Sequence, residues 1–426
     1  MNNIVYILLI LMICSFAGSA LAAPHYVMPT NGAAESPFET WAKAATNIQD
    51  AMNAASDGET VWVTNGTYLS QTVTGSMVVI DKGITLKSVH GPLVTIIDGN
   101  YPLYTNRICY MTNASAVLDG FTLTNGFMTA NINSAGGAGV FMESALLVTN
   151  CWIIGNTVTN SSVFLRGPGA EIWGGKMSHC TIGWNHSLGT KSDVCAIRMY
   201  GSSAVITNCI VVSNTAVANA DSILVSYGSR IANTKFYGNE GDVWISSAIT
   251  MENCEIYNNK PATYAGIQLN ADATIRNCLI RNQLQGIYAY DKGGKVINCT
   301  VVNNASTGIK VDYDYSGSTP LQVVNTISRY NGVNRTNNWA STNVSYTNCC
   351  LLPAAPGLNN ITNAPSFVDT NNANYRLNAN SPCINVGTNQ TWMTNSCDFD
   401  GNPRIRYGTV DMGAYEAIYN GTIYKF

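Results

Sequence analysis

The sequence predicts an all-β solenoid, a right-handed parallel β-helix of about 10–12 coils with an N-terminal helical cap. Three observations predict it. One short signature recurs through the middle of the chain, each copy follows a short alternating strand, and only 11% of residues are charged against 46% apolar.

The signature is an asparagine, a Cys or Thr, any residue, an aliphatic or Phe, two more residues, and a second asparagine. It reads NCWIIGN at 150, NCIVVSN at 208, NTKFYGN at 233, NCEIYNN at 253, NCTVVNN at 298 and NTISRYN at 325. Near copies are DGFTLTN at 119, HCTIGWN at 179 and NCLIRNQ at 277, with a truncated NCC at 348. Successive Cys or Thr positions from 151 to 349 lie 20 to 29 residues apart, the length of one solenoid turn, with no helical periodicity between them.

Upstream of these copies stand short strands: GVFME at 139, GAEIW at 169, AIRMY at 196, SILVS at 222, DVWIS at 242, GIQLN at 266, GIYAY at 286 and GIKVD at 308. Their second and fourth residues are mostly aliphatic and point inward by the two-residue strand period. Within the signature the inward positions are spaced three and then two, as in Val148, Cys151 and Ile153. The chain must therefore bend at the first asparagine, which tolerates left-handed backbone. That predicts an asparagine ladder of Asn150, Asn208, Asn233, Asn253, Asn277, Asn298, Asn325 and Asn348.

The ends differ from the repeat. Ile4 to Phe16 is an apolar run followed by Ala20-Leu21-Ala22, the pattern of a signal peptide over residues 1–22, and it is short for a membrane span. No later segment reads as a span, so a secreted or periplasmic protein is expected. Residues 23–60 read as a strand and a capping helix, with Trp41, Ala45, Ile48, Met52 and Ala55 on one helical face. A cap covers the apolar core and open strand edges that a solenoid end would expose. The β-helix proper is placed at 61–350 and a C-terminal capping segment at 351–426. A net charge of −3 without any basic block argues against nucleic acid. A monomer is expected.

HYVMPTNG, the helix, GETVWVTNGTY and the strand-and-turn repeats together resemble the pectate-lyase-like right-handed β-helix superfamily. The C-terminal SPCINVGTNQTWMTNSCDFDGNPRIRYGTVDMGAYE resembles the segment that ends choice-of-anchor Q secreted bacterial proteins. The resemblance implies the fold. It does not choose a function, because such folds serve lyases, glycoside hydrolases, epimerases, tailspikes and non-catalytic surface proteins alike.

Of the 13 cysteines, one falls in the leader. Cys151, Cys180, Cys209, Cys254, Cys278, Cys299 and Cys349 share one inward column with Thr234 and Thr326, which reads as stacked core thiols rather than a metal site. Cys383 and Cys397 flank a 15-residue loop, where a disulfide would contribute roughly 3 kcal/mol on chain-entropy grounds. The run Asp398-Phe399-Asp400-Gly401-Asn402 invites calcium, but Thr409 stands where an EF-hand loop needs Glu, so capping structure is preferred and no metal ligands are assigned.

If the upstream strands stack in register, their outward residues form two columns. The first runs Phe141, Glu171, Arg198, Leu224, Trp244, Gln268, Tyr288, Lys310. The second runs Glu143, Trp173, Tyr200, Ser226, Ser246, Asn270, Tyr290, Asp312. Aromatic faces interleaved with charges and amides suit a polysaccharide, and equally suit aromatic ladders that shield a β-surface. Trp173, Tyr200, Trp244, Gln268, Asn270, Tyr288, Tyr290 and Asp312 are the candidate substrate contacts. Lyase chemistry on a uronate needs a base and cationic help, for which Arg198, Lys310 and Lys191 are candidates. Hydrolysis needs two carboxylates, and Glu143 and Glu171 would lie roughly 8 Å apart at Cβ. A plain ion pair between Glu171 and Arg198 competes with both schemes. Asp291, Asp312 and Asp314 form a further acidic group. Two functions follow: a secreted protein that binds extracellular polysaccharide and, as a lyase or hydrolase, degrades it, or a non-catalytic adhesion solenoid.

Overall fold

The computed structural model describes residues 23–418 apart from 72–73, 130–135, 160–166, 189–193, 217–221, 228–229, 247, 261–264, 271, 290–292, 313–318, 333–338 and 341–342. The leader therefore lies outside the described residues. So do Tyr290, Asp291, Asp314, Lys191 and most of the two loops that precede strands Ala170–Ile172 and Val194–Met199.

Among the described residues, each turn of the chain gives three strands that stack on their counterparts one turn away in parallel. Sheet A is fourteen strands deep and includes Leu147–Thr149, sheet B is twelve deep and includes Trp152–Ile154, and sheet C is eleven deep and includes Val140–Met142. A fourth, four-stranded sheet joins B to C over part of the length. The three long sheets enclose one apolar core. The inward pairs Val140 and Met142, Ala170 and Ile172, Val243 and Ile245, and Ile309 and Val311 are all buried in it, as the alternation requires.

The A-to-B corner is the bend that the three-then-two spacing demands. Asn150, His179, Asn208, Asn233, Asn253, Asn277, Asn298, Asn325 and Asn348 all sit there with φ between 49° and 55°. Left-handed backbone turns the chain sharply and returns the next side chain, Cys or Thr, to the core. Cys151, Cys180, Cys209, Cys254, Cys278, Cys299 and Cys349 are buried free thiols, and each donates to the carbonyl two residues before it. Thr234 and Thr326 do the same through their hydroxyls. A site that accepts either residue needs a small side chain with a donor.

The hydrogen-bonded ladder itself is displaced from the expected column. It is built from the second asparagine of the signature, where Asn156, Asn185, Asn214, Asn239 and Asn331 are fully buried. The amide of Asn156 donates to Asn185 at 3.1 Å, Asn185 to Asn214 at 2.9 Å, Asn214 to Asn239 at 2.8 Å and Asn239 to Asn259 at 3.0 Å. The run resumes with Asn304 donating to Asn331 at 2.8 Å. In the expected column one such link is present, Asn325 donating to Asn298 at 3.2 Å, both buried, while other bend asparagines take partners off the column. The second asparagine points inward, where an unpaired amide is costly and stacking is enforced. The glycine that opens many sheet C strands follows from this ladder: a Cβ on Gly169 would stand 2.9 Å from the Asn185 amide nitrogen.

At the N-terminus the expected long helix is shorter. Asn47 accepts from the Gln49 N–H and starts the helix only at Ile48, so it runs Ile48–Ala54. Ala45, Ile48, Met52 and Ala55 face the core as expected, but Trp41 lies in a separate turn, 39% exposed, with its ring 4.2 Å from that of Tyr26.

The C-terminal segment folds back along the A-to-B corner. There the bend asparagines find their partners: Asn277 donates to Cys397 O, Asn298 to Asp411 O, Asn325 to Thr388 O and Asn348 to Val386 O, all within 3.0 Å. Phe367, Tyr375, Met412 and Tyr415 cover Leu279, Val302, Ile327 and Cys350 of sheet B. Cys383 is buried in this cluster while Cys397 is exposed, and both are free thiols. The two flanking cysteines are thus not paired. The Asp398 loop spends its oxygens internally, on the N–H groups of Asp400, Asn402 and Glu416, and Asp400 is held by Arg376.

Candidate functional site

Sheet C presents its outward residues in register along the solenoid. Tyr110, Phe141, Glu171 and Arg198 are successive partners, followed by Val225, Trp244, Gln268, Tyr288 and Lys310. Val225 stands where Leu224 was expected. Leu224 instead pairs with inward Ile197 and Val243, and Tyr227 rather than Ser226 is the partner of Ser246. The reason is a register irregularity after Ser222 that shifts the pairing of this strand by one residue.

The candidates divide into two groups. In the first, Glu171 is buried and organises its neighbours. Its Oε1 accepts from Arg198 Nη1 at 2.7 Å and from Trp173 Nε1 at 2.9 Å. The Arg198 guanidinium lies over the Tyr200 ring, 4.6 Å from its centroid. Trp173 and Tyr200, 6.2 Å apart between centroids, remain 39% and 52% exposed. One carboxylate thereby fixes one exposed aromatic directly and a second through a cation. Glu143, by contrast, is exposed and accepts from the Tyr110 hydroxyl at 2.5 Å, a contact that raises the phenol's pKa. The two glutamates expected as a hydrolytic pair therefore serve different hydrogen-bond sets.

Beneath this group lies a residue the sequence reading missed. Arg107 is buried, donates to Gly136 O and Gly137 O at 2.9 and 3.2 Å, and stands 5.3 and 4.9 Å from the Tyr110 and Phe141 rings. Burial pushes its pKa below the ordinary guanidinium value. The near copy DGFTLTN at 119 was the available signal, since its coil implies an upstream strand about one coil-third earlier, and Thr105–Met111 is that strand.

In the second group, the Tyr288 hydroxyl and Lys310 Nζ both donate to Asp312 Oδ2, at 3.1 and 3.0 Å. The lysine ammonium holds the Asp312 carboxyl below its usual range. Lys310 also lies 5.4 Å from the Tyr288 ring centroid. Trp244, Gln268 and Asn270 connect the two groups and are half-buried. The structure thus brings Glu171, Trp173, Arg198 and Tyr200 together, and separately Tyr288, Lys310 and Asp312.

The sequence of residues 170–327 matches the family described as the right handed beta helix region. Among solved structures, a pectate lyase, Pel9A, superposes with a TM-score of 0.56 over 92% of this chain and 96% of its own, at 16% identity. The fold is a pectate-lyase-like right-handed parallel β-helix. A rhamnogalacturonan lyase aligns with a TM-score of 0.48 over 82% of the β-helix chain and 91% of its own at 14% identity, and a PL6 alginate lyase in complex with a trisaccharide at 0.46, 79%, 84% and 13%. No curated protein matches the β-helix in sequence. No helix among its described residues is long and apolar enough to cross a membrane.

Proposed function

We propose that the protein is an exported, monomeric β-helix that binds an extracellular polysaccharide along sheet C, with the choice-of-anchor-Q-like C-terminal segment serving as its cap. The observation that carries this reading is the Glu171 network. Trp173 and Tyr200 are exposed rings held in place before any ligand arrives, and rigid aromatic faces are what pyranose rings stack on at low entropic cost. Arg198, paired with Glu171 and laid over the Tyr200 ring, ties the two aromatics into one rigid group. The likeness of the fold to the pectate lyase Pel9A supports this choice of polymer class.

Cleavage by Glu143 and Glu171 as a hydrolytic pair is the weaker reading. A retaining or inverting mechanism needs both carboxyl groups turned to one substrate, and here Glu171 is committed to Arg198 and Trp173. Polyuronates and neutral glycans are offered to the purified protein, recording retention in affinity electrophoresis, ultraviolet absorbance of unsaturated products and reducing ends. The expected result is retention by a polyuronate that Trp173→Ala and Tyr200→Ala abolish. Rising product on any polymer restores the enzyme reading, and the absence of retention by every polymer removes the binding one.

A further inference from the structure

A cleft lies on a different face of the solenoid, where the C-terminal segment stands over sheet A. Its volume is about 370 Å³, within the range of small-molecule sites. The floor is made by three strands in register, which place Thr274, Lys295 and Gln322 side by side. The wall is the turn carrying Gln390 and Trp392.

The wall is held in place by contacts of its own. Trp392 Nε1 donates to Gln390 Oε1 at 2.8 Å, the Arg276 guanidinium lies 4.5 Å from the indole centroid, and the ring packs against the small cluster of Ile297, Met393 and Val410. It nevertheless stays half-buried, with part of its surface lining the cleft. Arg276 and Arg230 share the single carboxylate of Glu252, so two cations face one anion. Lys295 is exposed and makes no ion pair among the described residues. In a chain with a net charge of −3, this is a local positive excess beside an aromatic ring and two primary amides.

We infer that this cleft is a second saccharide site, which takes a uronate unit with its carboxylate on Lys295, its hydroxyls on Gln322, Gln390 and the threonines, and its apolar C–H groups against the edge of Trp392 that lines the cleft. A cation alone would accept any anion. The aromatic edge and the amides select a flat, hydroxylated one, and an acidic peptide satisfies neither. The ligand class rests on the polysaccharide reading above, but the site shares no residue with sheet C. Two sites on different faces of one solenoid would hold separate stretches of one polymer network, so retention by a gel would exceed what either site gives alone.

The test is isothermal titration calorimetry of the full chain with tetragalacturonate, its uncharged methyl ester, and tetraglutamate. Wild type is expected to show two sites for tetragalacturonate. Lys295→Ala and Trp392→Ala each remove one of them with at least a tenfold loss of affinity, Tyr200→Ala removes the other, and thermal unfolding confirms that each variant is folded. The methyl ester should bind the Lys295 site at least tenfold more weakly. A single site lost only in Tyr200→Ala overturns this inference and leaves the sheet C reading intact. A single site lost only in Lys295→Ala sustains it and overturns the sheet C reading. Tetraglutamate binding as tightly as tetragalacturonate at Lys295 overturns the saccharide assignment, as does an isotherm that Lys295→Ala leaves unchanged.

Discussion

Removing the Glu171 carboxylate should loosen sheet C and disperse its aromatic platform together. The side chain of Glu171 is 1% exposed and that of Arg198 12%, so the pair is sheltered from solvent on both sides. Deleting one partner of a buried pair costs about 3–5 kcal/mol because the remaining charge is left uncompensated. The partial exposure of Arg198 lets water reach its guanidinium and puts Glu171→Ala at the lower end, about 3 kcal/mol. Glu171→Gln keeps an oxygen for Trp173 Nε1 and for Arg198 but surrenders the charge, so about 1–2 kcal/mol is expected. Replacing both partners in Glu171→Leu/Arg198→Met should recover much of the Ala loss, since neither charge then remains buried.

Urea unfolding followed by tryptophan fluorescence reads the series. A solenoid loses turns in stages, so the first transition is the one to compare. Retention by polyuronate reads the platform in the same samples. If Glu171→Ala unfolds within about 0.5 kcal/mol of wild type, the pair is an ordinary screened surface contact. If it binds polyuronate unchanged while destabilised, the carboxylate supports the fold but does not hold the rings.

Asn214→Ala in the middle of the ladder leaves partners on both sides unsatisfied: it donates to Ile182 O and Asn239 and accepts from the backbone and amide of Asn185. A loss of about 3 kcal/mol or more is expected in urea. Cys278→Thr should shift the thermal midpoint little, because Thr already fills this column at 234 and 326, whereas Cys278→Leu should cost about 1–3 kcal/mol by overpacking. Burial raises the Glu416 pKa to about 8, against an ordinary value of 4.5. The folded state therefore binds more protons between those values, and the stability contributed by neutral Glu416 is fully present below 4.5 and lost as pH rises through about 8. Thermal unfolding at pH 5 and pH 9 should show this loss in wild type and a smaller one in Glu416→Gln.

How much of this was legible follows from which positions are constrained locally. Cys151 and its column were readable because a core that closes every 20 to 29 residues must repeat the same small inward side chain. The bend at Asn150 was readable from spacing alone. The ladder at Asn156 was not, because both asparagines of the signature recur with the same period, and periodicity does not say which one faces the core. The slip at Leu224 has a similar origin: Ile223, Leu224 and Val225 are three consecutive apolar residues, so alternation gives no phase, and pairing with Ile197 and Val243 decides it. At the site, the partnership of Glu171 with Arg198 followed from register. Its bond to Trp173 did not, since residues two apart on a strand share a face but meet only when their rotamers converge.

The C-terminal segment supplies the physical reason to look for function on sheet C. A parallel solenoid has three outer faces of similar composition, and sequence alone does not rank them. In the folded chain, Phe367, Tyr375 and Tyr415 lie on sheet B, and Asn277, Asn298, Asn325 and Asn348 hold the segment along the A-to-B corner. That covers the later coils of sheet B, while Trp152 and Ile210 of the earlier coils stay exposed, 37% each. Trp173 and Tyr200 are exposed aromatics on sheet C, and what sets them apart from exposed Trp152 is the buried carboxylate that orients them. A surface that only shielded its own strands would lay those rings flat and cover their edges. The Glu171 network instead presents them to solvent, which is the arrangement a ligand uses.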